Sequence, residues 1–111
     1  MIDLQESRKK IDQIDDEIIR LFEERMKVCE AVAEYKIHTG KKVFDPQREQ
    51  DKLHTLAGKA HGDFNKLGAQ ELFQQIMAIS RKRQYQLLSE NGAEEQDEFT
   101  QVNERPLELK K

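Results

Sequence analysis

The sequence predicts an all-α protein of three helices, the first of them very long. Apolar residues recur in steps of three and four and rarely alternate in twos, which is typical of helices and argues against a sheet. The 111 residues include only five glycines and two prolines, so few positions interrupt a helix. Charged residues make up 37% of the chain and hydrophobic residues 36%. That balance suits one small helical domain with solvated outer faces.

The first helix is predicted from about Leu4 to Ile37, with Thr39-Gly40 as its stop signal. At 1.5 Å per residue it is about 50 Å long. A compact domain of this size has a radius of gyration of only about 13 Å. The helix must therefore extend beyond its own globule, and a second copy of the chain is the simplest cover for it.

One face of this helix carries an apolar seam interrupted by a charge. Arg25 lies where the three-and-four pattern calls for a hydrophobic residue. A charge there is costly unless an anionic group meets it, so Arg25 indicates either a buried ion pair, with Glu49 as partner, or a bound anion. The seam comprises Leu4, Ser7, Ile11, Ile14, Ile18, Leu21, Arg25, Val28, Val32 and Tyr35.

The second helix is predicted to begin at Asp45-Pro46, an N-cap acceptor followed by a proline at the first helical position, and to run to about Ala60. The third is predicted from about Leu67 to Leu88. Its expected inward residues are Leu72, Phe73, Ile76, Ile79 and Leu87.

Residues 89–111 lose this periodicity and turn acidic, with seven acidic and three basic residues. We therefore expect a helical domain over residues 1–88 and an acidic linker or tail over 89–111. The domain has sixteen basic and fifteen acidic residues. Such a balance argues against non-specific nucleic-acid binding.

The chain also lacks the sequence marks of membrane insertion and secretion. No window approaches the roughly 18 apolar residues of a membrane span. The N-terminus has no basic region followed by an apolar stretch. Cys29 is the single cysteine, so no intrachain disulfide can form. We expect a cytoplasmic protein that binds neither nucleic acid nor membranes.

All three helices break their apolar stripes with polar groups. Each break has an ordinary explanation: Asp45 as a helix cap, Glu49 as a half-exposed helix end, Ser80 as a small packing residue and Gln84 as a satisfied interior amide. Their coincidence with Arg25 instead favours a polar cavity inside a helical bundle, where ligand sites of such folds usually lie.

Spacing along the first helix places two cations on one face. Arg25 and Lys36 are eleven residues apart, which brings them within about 20° of each other and about 16 Å apart along the axis. They can converge on one small ligand, although Lys36 alone also suits a helix C-terminus. Arg8 lies about 25 Å from Arg25, rotated by about 100°. Helical geometry alone favours a surface charge for Arg8, unless it acts in the site of a partner subunit.

These residues resemble the active-site constellation of the all-helical chorismate mutases, particularly the bacterial ones. From Arg8 to Glu49 the matching residues are 17, 11, 9, 3 and 1 positions apart, and the last two, Ser80 and Gln84, are four apart. The segments 11–15, 21–25 and 43–49 also resemble the family in local sequence. The resemblance covers residues 4–88. The eight matching positions are Arg8, Arg25, Lys36, Asp45, Arg48, Glu49, Ser80 and Gln84.

The resemblance implies an intertwined homodimer of three-helix chains, whose long first helices cross between subunits. Each site borrows an arginine from the partner, which reverses the surface interpretation of Arg8. The implied reaction is the concerted [3,3] rearrangement of chorismate to prephenate in phenylalanine and tyrosine biosynthesis. It needs no cofactor and no metal.

The resemblance also implies roles for the site residues, all eight of which would bind substrate. Arg25 and Arg8 would clamp carboxylates, and Lys36 and Gln84 would donate hydrogen bonds to the ether oxygen. Glu49, with the backbone near Asp45, would hold the ring hydroxyl. Ser80 would contact a carboxylate or the ring, and Arg48 would support the site. The residues expected to act in catalysis are Arg25, Lys36, Glu49 and Gln84.

Three alternatives stay open at this point. An isochorismate pyruvate lyase on the same fold would have nearly the same site residues. A mutase-like domain can also be a regulatory sensor fused to another enzyme. Residues 89–111 resemble an interdomain linker, with prephenate dehydratase as the expected fused partner and an aldolase-type synthase as runner-up. A plain helical dimerisation module would ignore chorismate.

Overall fold

The computed structural model of the chain describes residues 1–92, and within that range the protein consists of three helices. They are α1 (Leu4–Thr39), α2 (Pro46–Lys59) and α3 (Asp63–Glu90). The all-α prediction with a very long first helix is therefore confirmed. The acidic tail predicted over 89–111 lies outside the described residues from position 93 onward.

Helix α1 is bounded by clear stop and start signals. The Asp3 side chain accepts hydrogen bonds from the backbone N–H groups of Gln5 and Glu6, at 3.0 and 3.3 Å. These bonds satisfy donors that the first turn leaves unpaired. Gly40 ends the helix in the left-handed conformation, with φ 72°. The helix ends at Thr39, two residues beyond the predicted end.

Helix α2 begins as the sequence predicts. The Asp45 carboxylate caps it by accepting the backbone N–H of Arg48 at 3.1 Å, and Pro46 occupies the first turn. The connection that leads from α1 to this cap is held in place from α1. Lys36 Nζ donates to the backbone carbonyl of Val43 at 2.8 Å, and the Val43 side chain is buried.

Helix α3 begins at Asp63, four residues earlier than predicted. Gly62 precedes it with φ 86°, a conformation that favours glycine and lets the chain turn directly from α2 into α3. Asp63 places a negative charge in the first turn, where the helix dipole favours it. The predicted start was wrong because the apolar stripe becomes regular only further along the helix.

Helix α3 is the centre of the packing. It contacts both α1 and α2, whereas α1 and α2 do not pack against each other within the described residues. Among residues 1–92, the fully buried apolar side chains are few: Ala33, Val43, Met77 and Leu88. This small core lies at one end of a molecule with principal extents of 58 × 27 × 26 Å. It follows that most of α1 is not covered by its own chain.

The apolar seam of α1 is accordingly exposed in the single chain. Its members from Ile11 to Leu21 keep 50–58% of their surface accessible, and Ile19 beside them keeps 57%. On α3, Leu72 is 54% exposed, so its predicted inward position is wrong for the isolated chain. The half of α1 that is free of its own globule therefore presents a continuous apolar face.

Candidate active site

A cavity of about 370 Å³ lies between the C-terminal halves of α1 and α3 and the start of α2. All three helices contribute polar side chains to it. The eight predicted site residues are brought together there with the exception of Arg8. The seven that line the cavity are Arg25, Lys36, Asp45, Arg48, Glu49, Ser80 and Gln84. Their roles toward a ligand stay predictions.

Arg25 is held at the cavity wall by α3. Its Nη1 donates to Ser80 Oγ at 2.8 Å, and the Cys29 sulfur lies 3.7 Å from the same nitrogen. Ser80 is 5% exposed and is fixed in turn, because its hydroxyl donates to the backbone carbonyl of Ile76 at 2.9 Å. Ser80 is thus more than a small packing residue, since it orients the guanidinium of Arg25.

Glu49 does not pair with Arg25, so that interpretation of the seam charge is wrong. Its Oε1 instead accepts Nη1 of Arg81, a residue of α3 that is only 7% exposed. The Arg81 guanidinium also lies over the ring of Phe44, 4.9 Å from its centroid. Arg81 lines the cavity and was missed by the sequence analysis.

Lys36 is half-buried among charged neighbours. Burial lowers the pKa of its ammonium group below the usual 10.5, and the carboxylates of Asp45 and Glu49 oppose that shift. One of its three protons is used in the bond to the Val43 carbonyl. The remaining two are available to a ligand in the cavity.

Gln84 is 7% exposed and lines the cavity from α3. Its carbonyl oxygen Oε1 is buried without a hydrogen-bond partner among residues 1–92. An unsatisfied buried acceptor costs about 1–3 kcal/mol. The sequence left two interpretations of Gln84, an amide hydrogen-bonded inside the protein or an amide directed at a ligand. Within the described chain the first is wrong, because the amide oxygen has no hydrogen-bond partner.

The cavity carries a surplus of positive charge. Five cationic side chains line it against two carboxylates, those of Asp45 and Glu49. Lys52 is the second cation, after Arg81, that the sequence analysis did not select. Its position one turn after Arg48 on α2 was the signal that could have identified it. A surplus of three charges in a partly enclosed cavity suits a ligand with more than one negative group.

Arg8 lies in the exposed N-terminal part of α1 and is absent from the cavity lining. It is seventeen residues from Arg25, which corresponds to about 25 Å along a helix. The Arg8 side chain cannot cover that distance within its own chain. Only a second copy can bring an Arg8 to this cavity.

Two further properties of the described residues concern other kinds of site. No group of three or more His, Cys, Asp and Glu side chains in residues 1–92 is arranged to hold a metal ion. None of the three helices is both long and apolar enough to cross a membrane.

Comparison with known proteins agrees with the geometry. Residues 7–85 match the family model described as chorismate mutase type II. The chain is 37% identical over 90 residues to a chorismate mutase of Methanocaldococcus jannaschii, an alignment that covers 78% of this chain and 89% of that protein. No solved structure matches the chain significantly.

A second relative is a bifunctional chorismate mutase/prephenate dehydratase of Aquifex aeolicus, 41% identical over 51 residues. This alignment covers 46% of the chain but only 14% of that longer protein. It therefore concerns part of the helical region and does not bear on any further domain. The family match and the archaeal relative both span most of the three helices. The chain belongs to the chorismate mutase type II family, a family of isomerases.

Proposed function

We propose that the chain converts chorismate to prephenate in the cavity between its three helices. The observation that carries this proposal is the composition of that cavity. Seven of the eight residues expected from the family resemblance line it, together with a surplus of three positive charges. Chorismate is a dianion with two carboxylates on an ether-linked frame, so its charge matches that surplus.

Substrate binding rests on the arginines. Arg25 has its guanidinium oriented by Ser80 at 2.8 Å, so a carboxylate meets a donor already in place. Arginine forks bind carboxylates through charge-assisted hydrogen bonds. With Arg8 of a partner subunit on the second carboxylate, the pair selects the compact conformer in which the enolpyruvyl arm lies over the ring. Holding reacting atoms in that geometry removes much of the entropic barrier.

Lys36 and Gln84 stabilise the transition state. Negative charge grows on the ether oxygen as the C–O bond breaks ahead of C–C bond formation. Lys36 can donate to that oxygen while keeping its bond to the Val43 carbonyl, because its ammonium has three protons. Gln84 supplies a neutral amide donor from the opposite helix. Donors aimed at charge that develops in the transition state raise kcat rather than ground-state affinity.

The remaining polar groups orient the ring. Glu49 accepts the proton of the ring hydroxyl, and the backbone near Asp45 helps to hold that hydroxyl. Asp45 itself has its Oδ1 engaged as the cap of α2, so its contribution comes through the backbone it fixes. Arg48 lines the cavity from the first turn of α2 and adds to the positive potential.

We further propose that the active form is an intertwined homodimer. The exposed face of α1 supports this, because large apolar side chains from Ile11 to Leu21 are about half accessible in the single chain. A contiguous apolar surface of this extent is typical of an interface. Pairing two such helices covers both faces and carries each Arg8 toward the other subunit's cavity.

The extent of the mutase unit is a proposal of the same kind. The family match ends at residue 85, near the proposed domain end at residue 88. We propose that residues 89–111 are a linker or tail that can lead to a prephenate dehydratase domain, and that the enzyme acts in cytoplasmic phenylalanine and tyrosine biosynthesis. The acidic, aperiodic sequence of these residues supports a linker or tail.

The test is a direct assay of both possible products. Purified protein is mixed with chorismate, loss of its absorbance is followed, and prephenate and pyruvate are quantified separately. Arg8→Ala runs beside the wild type, with the molar mass of each measured by light scattering. We expect prephenate from the wild type and a loss of about 100-fold or more in Arg8→Ala, with the dimer intact.

Other outcomes would change the assignment. Release of pyruvate from isochorismate, without prephenate from chorismate, would establish the lyase. Binding of a shikimate-pathway metabolite without turnover would establish a regulatory domain. A dimer that neither binds nor converts chorismate would leave only the dimerisation module.

A further inference from the structure

Arg81 is the one buried cation of the cavity that the family resemblance does not assign. We propose that it is a positioning residue, which fixes the Glu49 carboxylate so that its second oxygen faces the ring hydroxyl of the substrate. The inference rests on the proposed function, because the hydroxyl is that of chorismate. It adds a residue to the site and explains how an acidic side chain keeps its orientation among cations.

The geometry holds Arg81 from two sides. Its Nη1 donates to Glu49 Oε1 across the α2–α3 contact, and its guanidinium carbon Cζ lies over the Phe44 ring, 4.9 Å from the ring centroid. The Arg81 side chain is 9% exposed and that of Glu49 is 23% exposed. A guanidinium that lies over a ring and also pairs with a carboxylate has few orientations left. The carboxylate bonded to it is restricted in the same way.

Glu49 needs such a restraint because the cavity offers other cations. Lys36, Arg48 and Lys52 line the same space, and Lys36 is close enough to interact electrostatically with Glu49. A carboxylate free to rotate would turn toward one of them and neutralise a charge that should meet the substrate. Arg81 engages Oε1, which leaves Oε2 for the ring hydroxyl. The Arg81 charge is itself matched by Glu49, which leaves the other cations for the dianion.

The chain contains a matched control. Arg83 lies two residues further on the same helix and also forms an ion pair with another helix, with its Nε 2.7 Å from Glu30 Oε2. Its side chain is 36% exposed, and it lines a separate groove rather than this cavity. Arg83→Met therefore removes an interhelical ion pair of similar chemistry without touching the site. Exposed pairs of this kind contribute little to stability.

The experiment is a double-mutant cycle on full-length protein, with kcat and KM for chorismate measured for Arg81→Met, Glu49→Gln and the double variant. If Arg81 acts through Glu49, Arg81→Met lowers kcat/KM by about 10- to 100-fold, and the double variant lies within about twofold of Glu49→Gln. Losses that multiply would overturn the proposal, since Arg81 would then act independently of Glu49. Arg83→Met is expected to stay within about threefold of the wild type.

A second cycle uses Arg81→Lys, which keeps the buried charge if Arg81→Met fails to fold. Lysine can reach a carboxylate but lacks the planar fork, so we expect a partial loss that again disappears in the Glu49→Gln background. A multiplicative loss in this cycle would also refute the inference. The wild-type rate distinguishes failure of the proposed function from failure of the proposed role of Arg81. No turnover of chorismate would reject the proposed function. Turnover in the wild type, with rate losses that multiply in both cycles, would reject only the role of Arg81.

Discussion

Substitutions of Gln84 are expected to impair catalysis without lowering the stability of the protein. Gln84 is 7% exposed, lines the cavity, and carries an oxygen with no hydrogen-bond partner among the described residues. Two substitutions probe it without a large change in volume. Gln84→Met removes both polar atoms, and Gln84→Glu replaces the amide by a group that donates only when it is protonated.

The magnitudes follow from the burial. A buried amide oxygen with no hydrogen-bond partner costs up to about 1–3 kcal/mol, and methionine removes that cost. Each kcal/mol corresponds to about 4–8 °C in melting temperature for a domain of this size. Gln84→Met should therefore melt at or above the wild-type temperature. Loss of one transition-state donor costs about 100- to 1,000-fold in kcat, so the same variant should be nearly inactive.

Gln84→Glu tests whether Gln84 acts as a hydrogen-bond donor, through the direction in which the rate changes with pH. An amide donates at any pH, so the wild-type rate should be flat between about pH 6 and 8. A protonated carboxyl donates a hydrogen bond, whereas an ionised one opposes the charge that develops on the ether oxygen. The rate of Gln84→Glu should therefore rise as the pH falls and decline as the pH rises.

The assay is prephenate formation from pH 4.5 to 9, beside thermal melts of each variant. Two results would contradict this role of Gln84. One is a Gln84→Glu variant with wild-type rates at every pH, since Gln84 would then not be a donor. The other is a Gln84→Met variant that loses stability and activity together, which would make Gln84 a structural residue.

Three further predictions concern Lys36, Asp45 and Ile18. Burial lowers the pKa of Lys36 below the usual 10.5, and the charged form is the active one, so the wild-type rate should decline with rising pH at a pH below 10.5. Lys36→Arg should abolish this alkaline decline in a pH–rate profile, and an unchanged decline would contradict the role assigned to Lys36. Asp45→Ala should lower the free energy of unfolding by about 1 kcal/mol in a urea titration, because the cap of α2 is lost, whereas Asp45→Asn retains it. Ile18→Asp should shift the protein toward monomer in sedimentation velocity, because Ile18 lies on the exposed face of α1, and an unaffected dimer would place the interface elsewhere.

The helices could be predicted because their signals are local. Gly40 and the Asp45-Pro46 pair act within one or two turns, and the structure places helix ends at both of them. The start of α3 could not be located in the same way. It depends on the backbone conformation of Gly62, which the apolar pattern of the following residues does not reveal.

Seven of the eight predicted site residues line one cavity because the resemblance selected them by spacing. Arg81 was not predicted as a site residue, for a geometric reason. The predicted inward stripe of α3 ran through Ile76, whereas the buried line starts at Met77 and continues through Arg81 and Gln84 to Leu88 in steps of four, three and four. Its partners on α2 and in the connection before it are tertiary contacts. No local rule predicts them.

Subunit mixing tests whether each site is completed by a second copy of the chain. Arg8→Ala and Arg25→Ala are each expected to be inactive as homodimers. In a heterodimer, the chain that lacks Arg8 keeps its own Arg25 and receives Arg8 from its partner, so one of two sites is intact.

Equal amounts of the two variants are dissociated in mild urea, reassociated and assayed for prephenate. Random pairing makes about half of the dimers mixed, and each mixed dimer has one intact site of two, so we expect recovery of up to about a quarter of the wild-type activity. Each variant treated alone is the control. No recovery on mixing, although mass spectrometry shows that mixed dimers have formed, would contradict a shared site.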